Sequence, residues 1–184
     1  MVTRSNLLLA ALCCCAVTLS VVAGRHPWAS LPLLLYWAAV SVVLADVDMK
    51  YLRLPNVLVL SSAVVTGVYA LGESLQQHSL QGLTRSVCAA GFLGGTYAVF
   101  AHVRSGSLGA GDVKLAVALG LLLGWLGWTH VIVGGMGAFV LGGIAGLVLL
   151  LTRTARGSTR IPFGPPMLAA AWWSVYVVPS GAGV

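Results

Sequence analysis

Seven apolar runs divide the chain: Leu7–Ala23, Leu31–Ala45, Val57–Leu71, Leu83–Val103, Val113–Leu126, Val131–Leu151 and Pro165–Val178. A helix that crosses the hydrocarbon core needs about 20 residues, within a range of about 17–25. The first, fourth and sixth runs reach that length unaided. The other four are short and must borrow the polar residues beside them, which is tolerable where irregular backbone lines a wet cavity. The pattern predicts an all-α fold, a polytopic integral membrane bundle of about seven helices, with six as the alternative count. No repeat of fixed period or low-complexity linker divides it. The 184 residues therefore read as one membrane-embedded domain, 1–184, with its first helix at about 5–23 and its core at about 31–179. Residues 1–25 also have the layout of a secretory signal, but the apolar core of 17 residues exceeds the usual 7–15. The expectation is a retained first helix.

Composition agrees. The chain is 59% hydrophobic and 8% charged, with a mean hydropathy of +0.97, whereas a water-soluble domain carries about 25% charged residues. The net charge of +6 is scattered through short loops, which argues for topology and anionic lipid and against nucleic acid. With the amino terminus inside, Arg4, Lys50, Arg53, Arg104, Lys114, Arg153, Arg156 and Arg160 fall on the inner side. Only Arg25 and Arg85 fall outside. Cys13, Cys14, Cys15 and Cys88 lie within apolar runs and have no metal-ligand spacing. Gly134, Ala138, Gly142 and Gly146 in the sixth run, and Gly91 and Gly95 in the fourth, have the spacing that lets helices approach closely in lipid. They read as packing within one molecule rather than as a dimer face.

Candidate chemistry is confined to the acidic residues. There are four: Asp46, Asp48, Glu73 and Asp112. Three of them stand at the edges of apolar runs, where a carboxylate is costly and marks function by default. Asp112 follows Gly109-Ala110-Gly111, and glycines permit close backbone approaches. Alone, the same stretch reads as an Asp-capped helix start. Asp48 stands seven residues before Pro55, which suits the first turn of the next helix. It is expected to end the second helix, with a short basic loop leading to Pro55-Asn56. Asp46 is two residues away and points elsewhere on a helix. Lys50 and Lys114 are expected to turn towards lipid headgroups. His102 and His130 sit at helix ends on opposite sides, and no metal is assigned.

Taken together, these motifs resemble the type IV prepilin peptidase family, membrane aspartic proteases with a GxGD motif. The matching residues are Asp48 with Pro55 and Asn56, then Gly109, Gly111, Asp112 and Lys114, then Pro162, Phe163, Gly164 and Pro165. The resemblance implies that Asp48 and Asp112 are the catalytic pair. Asp46 is then a supporting or cavity-lining group, or merely an interfacial charge. Many bacterial members carry a cytoplasmic insertion with paired CxxC motifs that methylates the new amino terminus. Here only Gly24–Ser30 fills that place, so the resemblance implies cleavage without methylation and no cofactor. This compact form is similar to the peptidases of Flp-type pili.

The implied activity is removal of a basic leader from prepilin or pseudopilin precursors by a multi-pass enzyme of the cell membrane, its site facing the cytoplasm. The basic inner rim suits a basic leader poorly, so binding is expected to rest on the substrate's apolar segment and backbone. Two alternatives stand beside this reading. One is a preflagellin-type or other GxGD protease. The other is a proton-coupled transporter or membrane subunit, although matching inverted halves are not evident.

Overall fold

The computed structural model describes residues 4–103, 109–151 and 162–179. Among these, seven α-helices and one short 3-10 turn follow in order: α1 (Arg4–Val22), the turn Trp28–Ser30, α2 (Leu31–Tyr51), α3 (Asn56–Gln76), α4 (Gln81–Val103), α5 (Ala110–Leu126), α6 (Trp128–Leu151) and α7 (Gly164–Val177). Four stretches are long and apolar enough to cross a membrane: Trp28–Tyr51, Asn56–Gln76, Gln81–Val103 and Trp128–Val148. α1 carries a shorter apolar stretch, Leu8–Val22, and α5 and α7 are the shortest helices, at 17 and 14 residues. The fold is a polytopic helical membrane bundle. Arg104, Arg153, Arg156 and Arg160, four of the cations assigned to the inner side, lie outside the described residues.

The helices overrun the apolar runs at their polar ends. α2 continues through Asp46 and Asp48 to Tyr51, so Asp48 lies in its last turn, as expected of the residue that ends it. The extra turn is supported on its outer face by Lys50, whose ammonium meets Asp46 four residues earlier at 2.7 Å. It stops at Leu52, a non-glycine residue in the left-handed region (φ 52°) whose N–H closes on the Asp48 carbonyl at 2.9 Å. That conformation costs a leucine about 1–2 kcal/mol.

α5 is the centre of the bundle and packs most closely on antiparallel α4. Small residues allow it. A Cβ at Gly120 would lie 2.6 Å from the Ala90 Cα and 2.8 Å from the Ala89 carbonyl oxygen, and one at Gly124 would lie 2.8 Å from the Ser86 Cα. α6 lies along α7, where Gly134 meets Leu123, Ser174 and Ala171 and Gly142 seats the ring of Phe163. The expected seam on α6 is therefore an internal one at these positions. On α4 the expectation fails: Gly91 and Gly95 face open space, and the α5-facing side is built from Ser86, Ala89, Ala90 and Gly94. Polar side chains join helices inside the bundle. Trp37 donates to Thr66 at 2.9 Å and Trp172 to Ser41 at 3.1 Å.

The bundle has two chemically different ends. At one, Arg25 donates to the Tyr176 carbonyl at 2.6 Å, and the His26 Nε2–H donates to the Val175 carbonyl at 2.8 Å. Arg85 caps α5 there, donating to the carbonyls of Gly124 and Trp125 at 2.7 and 2.8 Å. At the other end lie Asp48, Asp112 and the start of α7.

Candidate active site

Asp48 is 4% exposed, and its Oδ2 accepts the Gly164 N–H at 3.0 Å. The sequence of α7's first turn explains why this donor is available. Pro165 and Pro166 have no N–H, and the Met167 N–H already reaches the Phe163 carbonyl at 3.2 Å. Gly164 thus carries the single free donor of a helix start, where the backbone dipoles favour an anion. No larger residue fits: a Cβ there would lie 2.7 Å from Asp48 Oδ2.

Asp112 stands in the first turn of α5 and is 8% exposed. Its Oδ2 accepts the Gly109 N–H at 2.8 Å, while its own N–H reaches the Gly109 carbonyl at 3.0 Å. Gly109, not Asp112, is the N-cap, with an extended backbone that makes this reciprocal closure. Each carboxylate is therefore held by one backbone N–H at a helix start. The two lie within electrostatic reach of each other.

The motifs interlock through further contacts. Leu54, buried in the loop before Pro55, packs on Gly111, where a Cβ would come within 3.2 Å of the leucine Cβ. Pro55 is the N-cap of α3. The next residue, Asn56, accepts from Lys114 Nζ at 2.9 Å. Phe163 lies against Tyr97 and Phe139, with ring centroids 6.1 and 6.0 Å apart. Asp48, Pro55, Asn56, Gly109, Gly111, Asp112, Lys114, Phe163, Gly164 and Pro165 thus come to one end of the bundle.

Lys50 and Lys114 are both exposed and turn away from Asp48 and Asp112. Lys114 also ties α5 to α3 by donating to Asn56, because the first turns of those helices abut. Lys50 is paired with Asp46, which takes Asp46 to the opposite side of α2 from Asp48, where Asn6 of α1 also reaches it. Among the described residues no three His, Cys, Asp or Glu side chains gather as a metal site. His130 is buried at the far end, its ring 6.0 Å from that of His26. Sequence reasoning missed Leu54, Tyr97 and the α5 glycines. Gly120 and Gly124 have the four-residue spacing that could have flagged the last of these.

Residues 33–151 match the type IV leader peptidase family, a stretch that includes both Asp48 and Asp112. The chain belongs to that family. Among curated members, the prepilin leader peptidase/N-methyltransferase of Pseudomonas aeruginosa is 31% identical over 144 residues, covering 76% of this chain and 47% of the relative. The protein of the same description from Aeromonas salmonicida is 40% identical over 65 residues, covering 35% of this chain and 21% of the relative. The chain thus spans about half the length, or less, of the curated relatives it matches. No solved structure matches. The family match ends before the Phe163-Gly164-Pro165 stretch, yet the Gly164–Asp48 hydrogen bond ties that stretch to the first carboxylate.

Proposed function

We propose that this member of the leader peptidase family is an aspartic endopeptidase, with Asp48 and Asp112 as its catalytic pair, that cuts the leader from prepilin-like precursors. The observation that carries the reading is the convergence of two of the chain's four acidic residues. They arrive from separate helices, both buried, each anchored by a single backbone N–H. One bond to Oδ2 fixes each carboxylate's orientation and leaves its other oxygen for a reactant.

Two such carboxylates cannot both ionise cheaply, so the pair holds one proton between them. The ionised member takes a proton from water as that water adds to the scissile carbonyl. The protonated member donates to the carbonyl oxygen. The tetrahedral species then collapses, its C–N bond breaks, and the leaving amine gains a proton. Apparent pKa values for this step belong to the pair. Asp46, engaged with Lys50, takes no part.

The reaction is placed at the cytoplasmic face because eight of ten cations fall on that side in the sequence topology. Methylation is not proposed. Only Ala23–Ser30 separates α1 from α2, and Cys13, Cys14, Cys15 and Cys88 are free thiols within helices. The test is co-expression with a prepilin substrate. Asp48→Asn and Asp112→Asn should each abolish leader removal, with protein levels in the membrane unchanged, and Asp46→Asn should retain it. Cleavage at the wild-type rate by either of the first two would reject the assignment.

A further inference from the structure

Tyr97 is a buried phenol towards the carboxylate end of the bundle. It lies on α4 and is 1% exposed. The antiparallel contacts of α4 and α5 fix its depth: Ser86 meets Gly124, Ala90 meets Gly120 and Gly94 meets Val117. One more turn in this register brings Tyr97 level with the first turn of α5, where Asp112 stands. The Asp112 carboxylate is within electrostatic reach of the phenol. Its ring is clamped by Phe139 at 4.8 Å and by Phe163 at 6.1 Å, and Phe163 immediately precedes the Gly164 that holds Asp48. The same ring edges an apolar crevice with Leu93, Ala116, Leu119, Ala138 and Met167.

Among the described residues the Tyr97 hydroxyl makes no hydrogen bond, and it is not one of the fully enclosed polar atoms left unpaired, so its tip keeps access to the space beside the ring. A tyrosine hydroxyl in such a setting ordinarily takes a partner. Phenylalanine would make the same ring contacts but could offer no donor to a group that arrives with the substrate.

We propose that Tyr97 donates a hydrogen bond to the scissile carbonyl oxygen as that oxygen gains negative charge in the tetrahedral species. The inference rests on the Asp48–Asp112 reading above. Tyr97 keeps its proton throughout, and the two aspartates carry every transfer. A preorganised donor aimed at developing charge in a water-poor site stabilises the transition state more than the ground state. The ring clamp supplies the preorganisation.

The experiment uses the full chain in lipid nanodiscs and a synthetic prepilin-type peptide with a basic leader, a glycine at the cut and a hydrophobic helix. Tyr97→Phe keeps the ring and removes the donor. The expected result is a fall in kcat of about 100-fold, the scale for loss of one oxyanion donor, with KM within about twofold and an unchanged melting temperature. Wild-type kcat in Tyr97→Phe overturns the proposal. So does a loss confined to KM, or one matched by a fall in melting temperature. Asp48→Asn and Asp112→Asn are run beside it. If they still cleave, the aspartate pair is the reading that fails; if they are inactive while Tyr97→Phe is unimpaired, only the role of Tyr97 falls.

Discussion

A carboxylate removed from water needs hydrogen bonds to remain tolerable as an anion, and Asp48 takes one from a helix start that has a single donor to give. Gly164 is therefore as sensitive a position as the aspartate itself. Gly164→Ala would set a methyl group 2.7 Å from Oδ2 and push the carboxylate out of line with its partner. We expect cleavage to drop at least about 100-fold, the scale on which a small misplacement acts, while helix content and membrane accumulation stay as in wild type. Near-normal cleavage by purified Gly164→Ala would contradict this. Asp48 and Asp112 were legible in the sequence because acidic residues are scarce and these two sit against apolar runs. The Gly164 donor was not, because it acts on a residue 116 positions away and depends on two prolines whose meaning appears only once Asp48 stands opposite them.

Helices followed readily from hydrophobic runs, since lipid leaves the backbone few other ways to satisfy its polar groups. Their pairing was harder to read. Gly91 and Gly95 have the spacing of a packing seam, yet they point to open space, because spacing alone does not say which face of α4 meets α5. Contact is made one face round, at Ser86, Ala89, Ala90 and Gly94, against Gly120 and Gly124. Gly120→Ala tests the interface, as its Cβ would meet Ala90 and Ala89 backbone atoms that cannot swing aside. Overpacking of this kind costs about 1–3 kcal/mol. The expected outcome is a lower melting temperature in detergent, and an unchanged one would mean that the two helices are not held so close. Because α5 carries Asp112, separating it from α4 should reduce activity as well.

At the scale of the molecule, the chemistry and the anchoring sit at opposite ends. The far end is held by Arg25, His26 and Arg85, each donating to a carbonyl at the end of a neighbouring helix. Burial pushes the His26 imidazole below its ordinary value of 6.5. The hydrogen bond to Val175 opposes that shift, and the nearby Arg25 charge adds to it. The folded protein therefore keeps His26 neutral over a range where the unfolded chain would take up a proton. Stability is then complete above about pH 6.5 and declines as pH falls towards the depressed folded value. Melting temperatures recorded in detergent between about pH 8 and 5 should fall towards the acid side, and less steeply in His26→Gln. Equal slopes in the two proteins would exclude His26 as the source. His26 falls in the Gly24–Ser30 gap between apolar runs, where nothing local reveals that the carboxyl end of α7 returns to cover it.

α5 and α7 are also the shortest helices described, at 17 and 14 residues, or about 25 and 21 Å of rise. The hydrocarbon core is about 30 Å thick. Both helices begin at the carboxylate end. On the proposed catalytic reading, a shortfall at that end would thin the bilayer around the pair. A peptide bond at the edge of a lipid-embedded helix would then meet the aspartates at its own depth, with no need to draw that helix out of the membrane.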